Sequence, residues 1–155
     1  MTPAIDLARK AGITHQVNEY GHDPKSDSYG TEAAEKLGLD PERVFKTLVV
    51  ETDAGELVVA IVPVSTTVNL KRVAKAVKAK KAAMAYRQKV QRTTGYVLGG
   101  VSPLGQKKAL TTVIDDSALA FDTIHVSAGR RGLEIELAAT DLATLTGASF
   151  APIRD

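Results

Sequence analysis

The chain has 155 residues, 44% of them hydrophobic and 25% charged, with a formal net charge of +2, the profile of one folded domain. It holds no cysteine, which excludes disulfides, thiolate metal sites and cysteine nucleophiles. No apolar run nears the roughly 20 residues of a membrane-spanning helix, and Met1 to Asp6 lacks a signal peptide's basic start, so one cytoplasmic domain over 1–155 without a membrane partner is expected.

In chain order, Thr2-Pro3 reads as an N-cap followed by proline at the first helical position, with Gly12 as the stop. Residues 13–20 read as extended and run into a turn-rich patch from Gly21 to Gly30. A short amphipathic helix over Thr31 to Leu37 ends at Gly38, and Asp40-Pro41 predicts a further helical turn. Val44 to Glu51 and Glu56 to Pro63 read as strands of a hairpin around Thr52-Asp53-Ala54-Gly55. Asn69 caps a helix whose apolar residues Leu70, Val73, Ala74 and Val77 share one face, and a further helix is expected over Arg87 to Arg92.

Thr94 to Lys108 is irregular, with Gly95, Gly99, Gly100 and Gly105 interrupted by Pro103. Strands are expected at 110–115, 123–127 and 133–137, with Gly129 and Gly132 flanking the turn between the last two. A helix over Asp141 to Thr146, stopped by Gly147, and a strand over 149–153 complete the chain. The mixture without a regular β-α-β period predicts a mixed α/β fold with a largely antiparallel, curled sheet.

Charge is distributed unevenly. Between Glu56 and Asp115 there is no acidic residue, yet the segment carries Lys71, Arg72, Lys75, Lys78, Lys80, Lys81, Arg87, Lys89, Arg92, Lys107 and Lys108. Such a block suits a polyanion, because neutralised phosphates release condensed counterions. The competing reading is a solvated face cancelled by acidic flanks after folding. RNA is preferred to DNA as the partner, and Lys71, Lys75, Lys78, Lys80, Lys81, Arg87, Lys107 and Lys108 are the expected RNA contacts.

Chemistry-bearing residues are few. Lys46 lies in the otherwise apolar run from Val44 to Val50, so it either reaches an edge or lines a cleft where its charge is used. The loop Gly99-Gly100-Val101-Ser102-Pro103-Leu104-Gly105 either brings backbone amides close to a ligand or is an ordinary tight loop. His15, His22 and His125 lack metal-ligand spacing, and Ser102 and Ser127 lack a nucleophile-elbow setting. Glu134 and Glu136 share one strand face, which reads first as solvated.

The segments Met1 to Ile5, Tyr29 to Ala34, Asp40 to Leu48 (with Phe45-Lys46-Thr47-Leu48), Gly95 to Lys108 and Val126 to Leu133 resemble the YbaK/EbsC family of aminoacyl-tRNA deacylases. The same superfamily supplies the editing domain of bacterial prolyl-tRNA synthetases. The resemblance implies a curled, barrel-like mixed β-sheet with peripheral helices, and hydrolysis of Cys-tRNA(Pro), with Cys-tRNA(Cys) as a second substrate. It implies no metal and no cofactor, with tRNA(Pro) and prolyl-tRNA synthetase as partners. It makes Lys46, Gly99 and Gly100 catalytic, and Tyr20, Tyr29, Thr47, Ser102, Ser127 and Glu134 substrate-binding. Ala128 stands where a second glycine is common, and Glu134 where aspartate occurs. With no protein nucleophile in view, the substrate's own cysteinyl thiol is the expected attacking group. Two alternatives accompany this reading: a non-catalytic tRNA- or synthetase-binding module, and a deacylase of another amino acid such as alanine.

Overall fold

A computed structural model gives the fold and describes residues 1–25 and 30–155, together with the backbone of Tyr29. The elements are α1 (Pro3–Ala11), β1 (His15–Glu19), α2 (Tyr29–Leu37), β2 (Phe45–Thr52), β3 (Leu57–Pro63), α3 (Leu70–Ala76) and β4 (Ala82–Met84). They continue with α4 (Arg87–Thr94), β5 (Thr111–Asp115), a 3-10 turn (Asp116–Ala120), β6 (Ile124–Arg130), β7 (Leu133–Leu137), α5 (Ala139–Thr146) and β8 (Ser149–Ala151).

Local signals explain many of these boundaries. The Thr2 hydroxyl accepts the Ile5 N–H, and Gly12 stops α1 in the left-handed region at φ 69°. Asn69 caps α3 by accepting the Arg72 N–H at 3.0 Å. The expected hairpin forms, with Phe45 opposite Pro63 and Glu51 opposite Leu57. Asp40-Pro41 forms the expected single turn: the Asp40 side chain accepts the Glu42 N–H and its carbonyl the Arg43 N–H. Part of the turn-rich patch, residues 26–28, lies outside the described residues.

The sheet departs from expectation in two respects. It is divided into an antiparallel three-stranded sheet, β1-β7-β6, and a five-stranded sheet, β4-β2-β3-β5-β8, in which β3–β5 and β5–β8 are parallel. Neither closes on itself, so the strand pairing forms no barrel. The reason lies along β2. On one side it pairs with β4 over Val50 to Thr52, and it meets β6 only through the isolated parallel bridge of Val44 with His125. Gly129 is not in the turn but inside β6, which bulges between Ser127 and Arg130.

Alternation along β2 assigns its two faces. Phe45 and Val49 enter the main core with Ile5, Val90, Ile124, Val126, Ile135 and Leu142. Val50 enters a second core with Val58, Ala60, Val62 and Val73, against which Leu48 packs. Lys46 therefore lies on the second face, in line with Val44, Leu48 and Val50. A third cluster, Ala33, Ala34 and Val44 with Tyr20 and Val64, fixes α2 over the junction of the two sheets.

Candidate active site

The site forms where that junction brings β2 alongside β6. The bridge pairs Val44 with His125, so two residues further along these parallel neighbours Lys46 comes level with Ser127. The Lys46 ammonium makes no ion pair among the described residues, and half-burial pushes its pKa below the ordinary lysine value. Helix α2 approaches its stem so closely that a Cβ on Gly30 would lie 2.3 Å from Val64 and 3.9 Å from the Lys46 Cβ. Glycine is the residue that lets this helix sit down on the strand.

Glu134 lies opposite Ser127 on β6 and Asn18 on β1. It is 6% exposed, and burial pushes its pKa up to about 8, so its carboxyl group keeps its proton at neutral pH. Its carboxyl group makes no hydrogen bond or ion pair among the described residues. The sequence reading of a solvated pair holds only for Glu136, which accepts from Thr123 and Arg43 at the other end of the face. Tyr20 shares this surrounding: burial first, and then the Glu134 and Glu32 carboxylates, raise its hydroxyl pKa against the opposing Gly132 backbone and Arg131.

Two groups the sequence reading passed over complete the wall. Glu32 projects from α2 to the His22 ring at 2.7 Å and to the Asp23 amide at 2.9 Å. The His22 hydrogen bond, chiefly, holds its carboxyl below the usual range. Arg131 adds a cation close enough to act on both Glu32 and Tyr20. No sequence spacing announces this set, because α2 alone carries Glu32 back to the turn after β1.

The glycine loop abuts the end of β6. A Cβ on Gly100 would stand 2.8 Å from the Arg130 Cα, so only glycine lets the loop close there. The Gly100 N–H, however, donates to the Val97 carbonyl at 2.9 Å and is already engaged. The Gly99 N–H has no acceptor among the described residues, which leaves Gly99, at φ 90°, as the available amide of the two.

The other expected site residues divide. The Thr47 hydroxyl is buried without a partner, but alternation puts Thr47 with Phe45 and Val49 on the face of β2 opposite to Lys46. Ser127 is half-buried and its hydroxyl oxygen accepts the Gly129 N–H. Ser102 is fully buried and its hydroxyl accepts the Leu104 N–H, so within the loop it holds the turn at Pro103. The Tyr29 side chain lies outside the described residues. His125 is also buried, with neither ring nitrogen partnered.

All eight expected RNA contacts, Lys71, Lys75, Lys78, Lys80, Lys81, Arg87, Lys107 and Lys108, are exposed. Of the acid-free block, only Lys89 forms an ion pair among the described residues, with Glu51 at 2.6 Å. Folding therefore leaves the block's field largely uncancelled.

Known proteins share this chain's sequence pattern and fold. The model of a family described as the aminoacyl-tRNA editing domain matches residues 23–145. The chain is 42% identical over 120 residues to EbsC of Enterococcus faecalis, named as a candidate Cys-tRNA(Pro)/Cys-tRNA(Cys) deacylase, covering 77% of this chain and 73% of that protein. Among solved structures, a candidate trans-editing enzyme for prolyl-tRNA synthetase superposes with a TM-score of 0.84 at 22% identity, over 100% of this chain and 99% of that one. A hypothetical protein does so with a TM-score of 0.86 at 24% identity, over 99% of each chain. At these identities the structural matches establish the fold alone.

Proposed function

The chain belongs to the aminoacyl-tRNA editing domain family, an aminoacyl-tRNA deacylase, and we propose that it edits in trans with Cys-tRNA(Pro) as its substrate. What supports this reading is the placement of Lys46 and Glu134 about Ser127 at the β2–β6 junction, with the Gly99-Gly100 loop against the end of β6, within a chain 42% identical to EbsC. Prolyl-tRNA synthetase is the proposed partner, since exposed lysines read backbone charge and leave the choice of tRNA to something else.

In this mechanism the cysteinyl thiol attacks its own ester carbonyl. The S–C bond forms as the bond to the ribose 3′-oxygen breaks, and the thiol proton ends on that oxygen. The product is a four-membered thiolactone that water opens to cysteine. The enzyme holds the thiol in attacking geometry, which contributes through positioning. The Gly99 N–H and the Lys46 ammonium stabilise the developing oxyanion. Glu134, neutral at pH 7, relays the thiol proton: it gives its own to the leaving oxygen and is reprotonated by the one the thiol loses.

Multiple-turnover deacylation of Cys-tRNA(Pro) tests the assignment. Product exceeding enzyme by many equivalents supports an editing enzyme, and product that never exceeds one equivalent leaves a tRNA-binding module. The Glu134 role has its own signature. Because its pKa is raised to about 8, the acid is lost as pH climbs through that value, so the single-turnover rate should fall above about 8. In Glu134→Gln the rate should be lower and that falling limb absent. A wild-type rate that climbs unbroken to pH 9 would remove Glu134 from proton transfer.

A further inference from the structure

Tyr86 is 79% exposed, an unusual position for a tyrosine, and Met84 beside it in sequence is 50% exposed. Pairing places them. Met84 lies opposite Val50, and the Ala85 N–H donates to the Val49 carbonyl at 3.1 Å, which carries the antiparallel register one step beyond β4. Tyr86 is still extended, with φ −67° and ψ 144°, and so comes level with Leu48. Residues opposite one another in a ladder share a face, so Tyr86 stands on the same side of the sheet as Leu48 and Lys46. Its Cα is displaced from that of Lys46 by roughly 7 Å along the strand and about 5 Å across it.

The ring makes no side-chain cap for α4, and no hydrogen bond of its hydroxyl is present among the described residues. It stands within the acid-free block, next to exposed Arg87 and five residues from Lys81. An exposed aromatic ring among unpaired cations, about one nucleotide's stride from the catalytic lysine, matches what a single-stranded nucleic acid requires. The phosphates meet the cations and a base stacks on the ring. The aminoacyl ester sits on the unpaired 3′ end of its tRNA, so such a strand must pass this point.

We propose that Tyr86 is a base-stacking platform for the unpaired 3′ end of the tRNA, which orients the strand so that its ester reaches Lys46. This deepens the deacylase reading and rests on it. Tyr86 acts through binding and touches no reacting atom.

Equilibrium binding of an uncharged RNA hairpin with a single-stranded CCA end tests the platform without any need for turnover. Tyr86→Ala is expected to weaken binding about tenfold, and Tyr86→Phe, which keeps the ring, to restore it. The slope of affinity against salt should stay unchanged in Tyr86→Ala, whereas Arg87→Ala should reduce it by about 0.7. With Cys-tRNA(Pro), the same alanine variant should raise KM about tenfold with kcat near that of the wild type. Hairpin binding that is equal in Tyr86→Ala and wild type overturns the proposal and assigns the ring to a protein partner. Tyr86→Phe as weak as Tyr86→Ala overturns it too, since stacking does not need the hydroxyl. Tyr86-dependent RNA binding by a wild-type protein that turns over no ester would instead refute the deacylase reading and leave the stacking platform standing.

Discussion

Lys46→Met is expected to lower kcat/KM for Cys-tRNA(Pro) by at least about 100-fold, the usual consequence of removing one preorganised group that meets developing charge. The same substitution should leave melting temperature unchanged or raised. Methionine keeps the length of the stem in the space between Gly30 and Leu48, so packing survives. The ammonium contributes no ion pair to the fold, and its pKa lies below the ordinary value because burial penalises the charged form. A lysine with a depressed folded-state pKa opposes folding wherever it is protonated, and at pH 7 it is protonated in the unfolded chain. Deleting the charge therefore relieves a cost. Activity and stability should move in opposite directions, the pattern of a charge kept for function. Turnover assays and thermal melts on one preparation check both parts. Wild-type turnover in Lys46→Met would end its catalytic role, and a fall in melting temperature of many degrees would make it a structural residue instead.

What could be read from the sequence follows the range of the interactions. Caps such as Thr2 and Asn69, and the hairpin around Asp53, are settled within a few residues, and the structure forms them as expected. β4 was not legible, because Ala82 to Met84 shows no alternation and becomes a strand only by pairing with β2. The parallel joins of β3, β5 and β8 are distant in sequence for the same reason. At the site, Lys46 stood out as a charge in an apolar run, but whether it reached an edge or a cleft depended on α2 folding back over it. The protonated state of Glu134 was hidden altogether, since an i, i+2 carboxylate pair reads alike whether solvated or enclosed. Glycine composition revealed the loop at Gly99-Gly100, but not that one amide of the two is already taken.

Selectivity among esters should be the sharpest result of all. If the substrate's thiol is the nucleophile, Ser-tRNA(Pro) differs from Cys-tRNA(Pro) by one atom and should still react at least about 1,000-fold more slowly, because a hydroxyl is almost wholly protonated at neutral pH and far less nucleophilic. Pocket size cannot produce such a ratio, since a methylene's worth of fit changes selectivity by only about 10–200-fold. The described side chains offer little to replace the thiol. Ser102 is sealed inside its loop, the Ser127 oxygen is turned to the Gly129 amide, and the buried His125 ring pairs with neither. Ala-tRNA(Pro), with nothing to attack through, should be as inert as the seryl ester. S-methylcysteinyl-tRNA(Pro) makes the decisive comparison, because it fills at least the volume of cysteine yet has no thiol proton to lose. Initial rates with the four esters at one pH separate the mechanisms. Loss of cysteine alone places the nucleophile on the substrate, whereas comparable cleavage of the seryl and S-methyl esters requires a water activated by the protein. In that case Glu134, neutral below about pH 8, could not be its base, and His22 beside Glu32 would be the first group to replace.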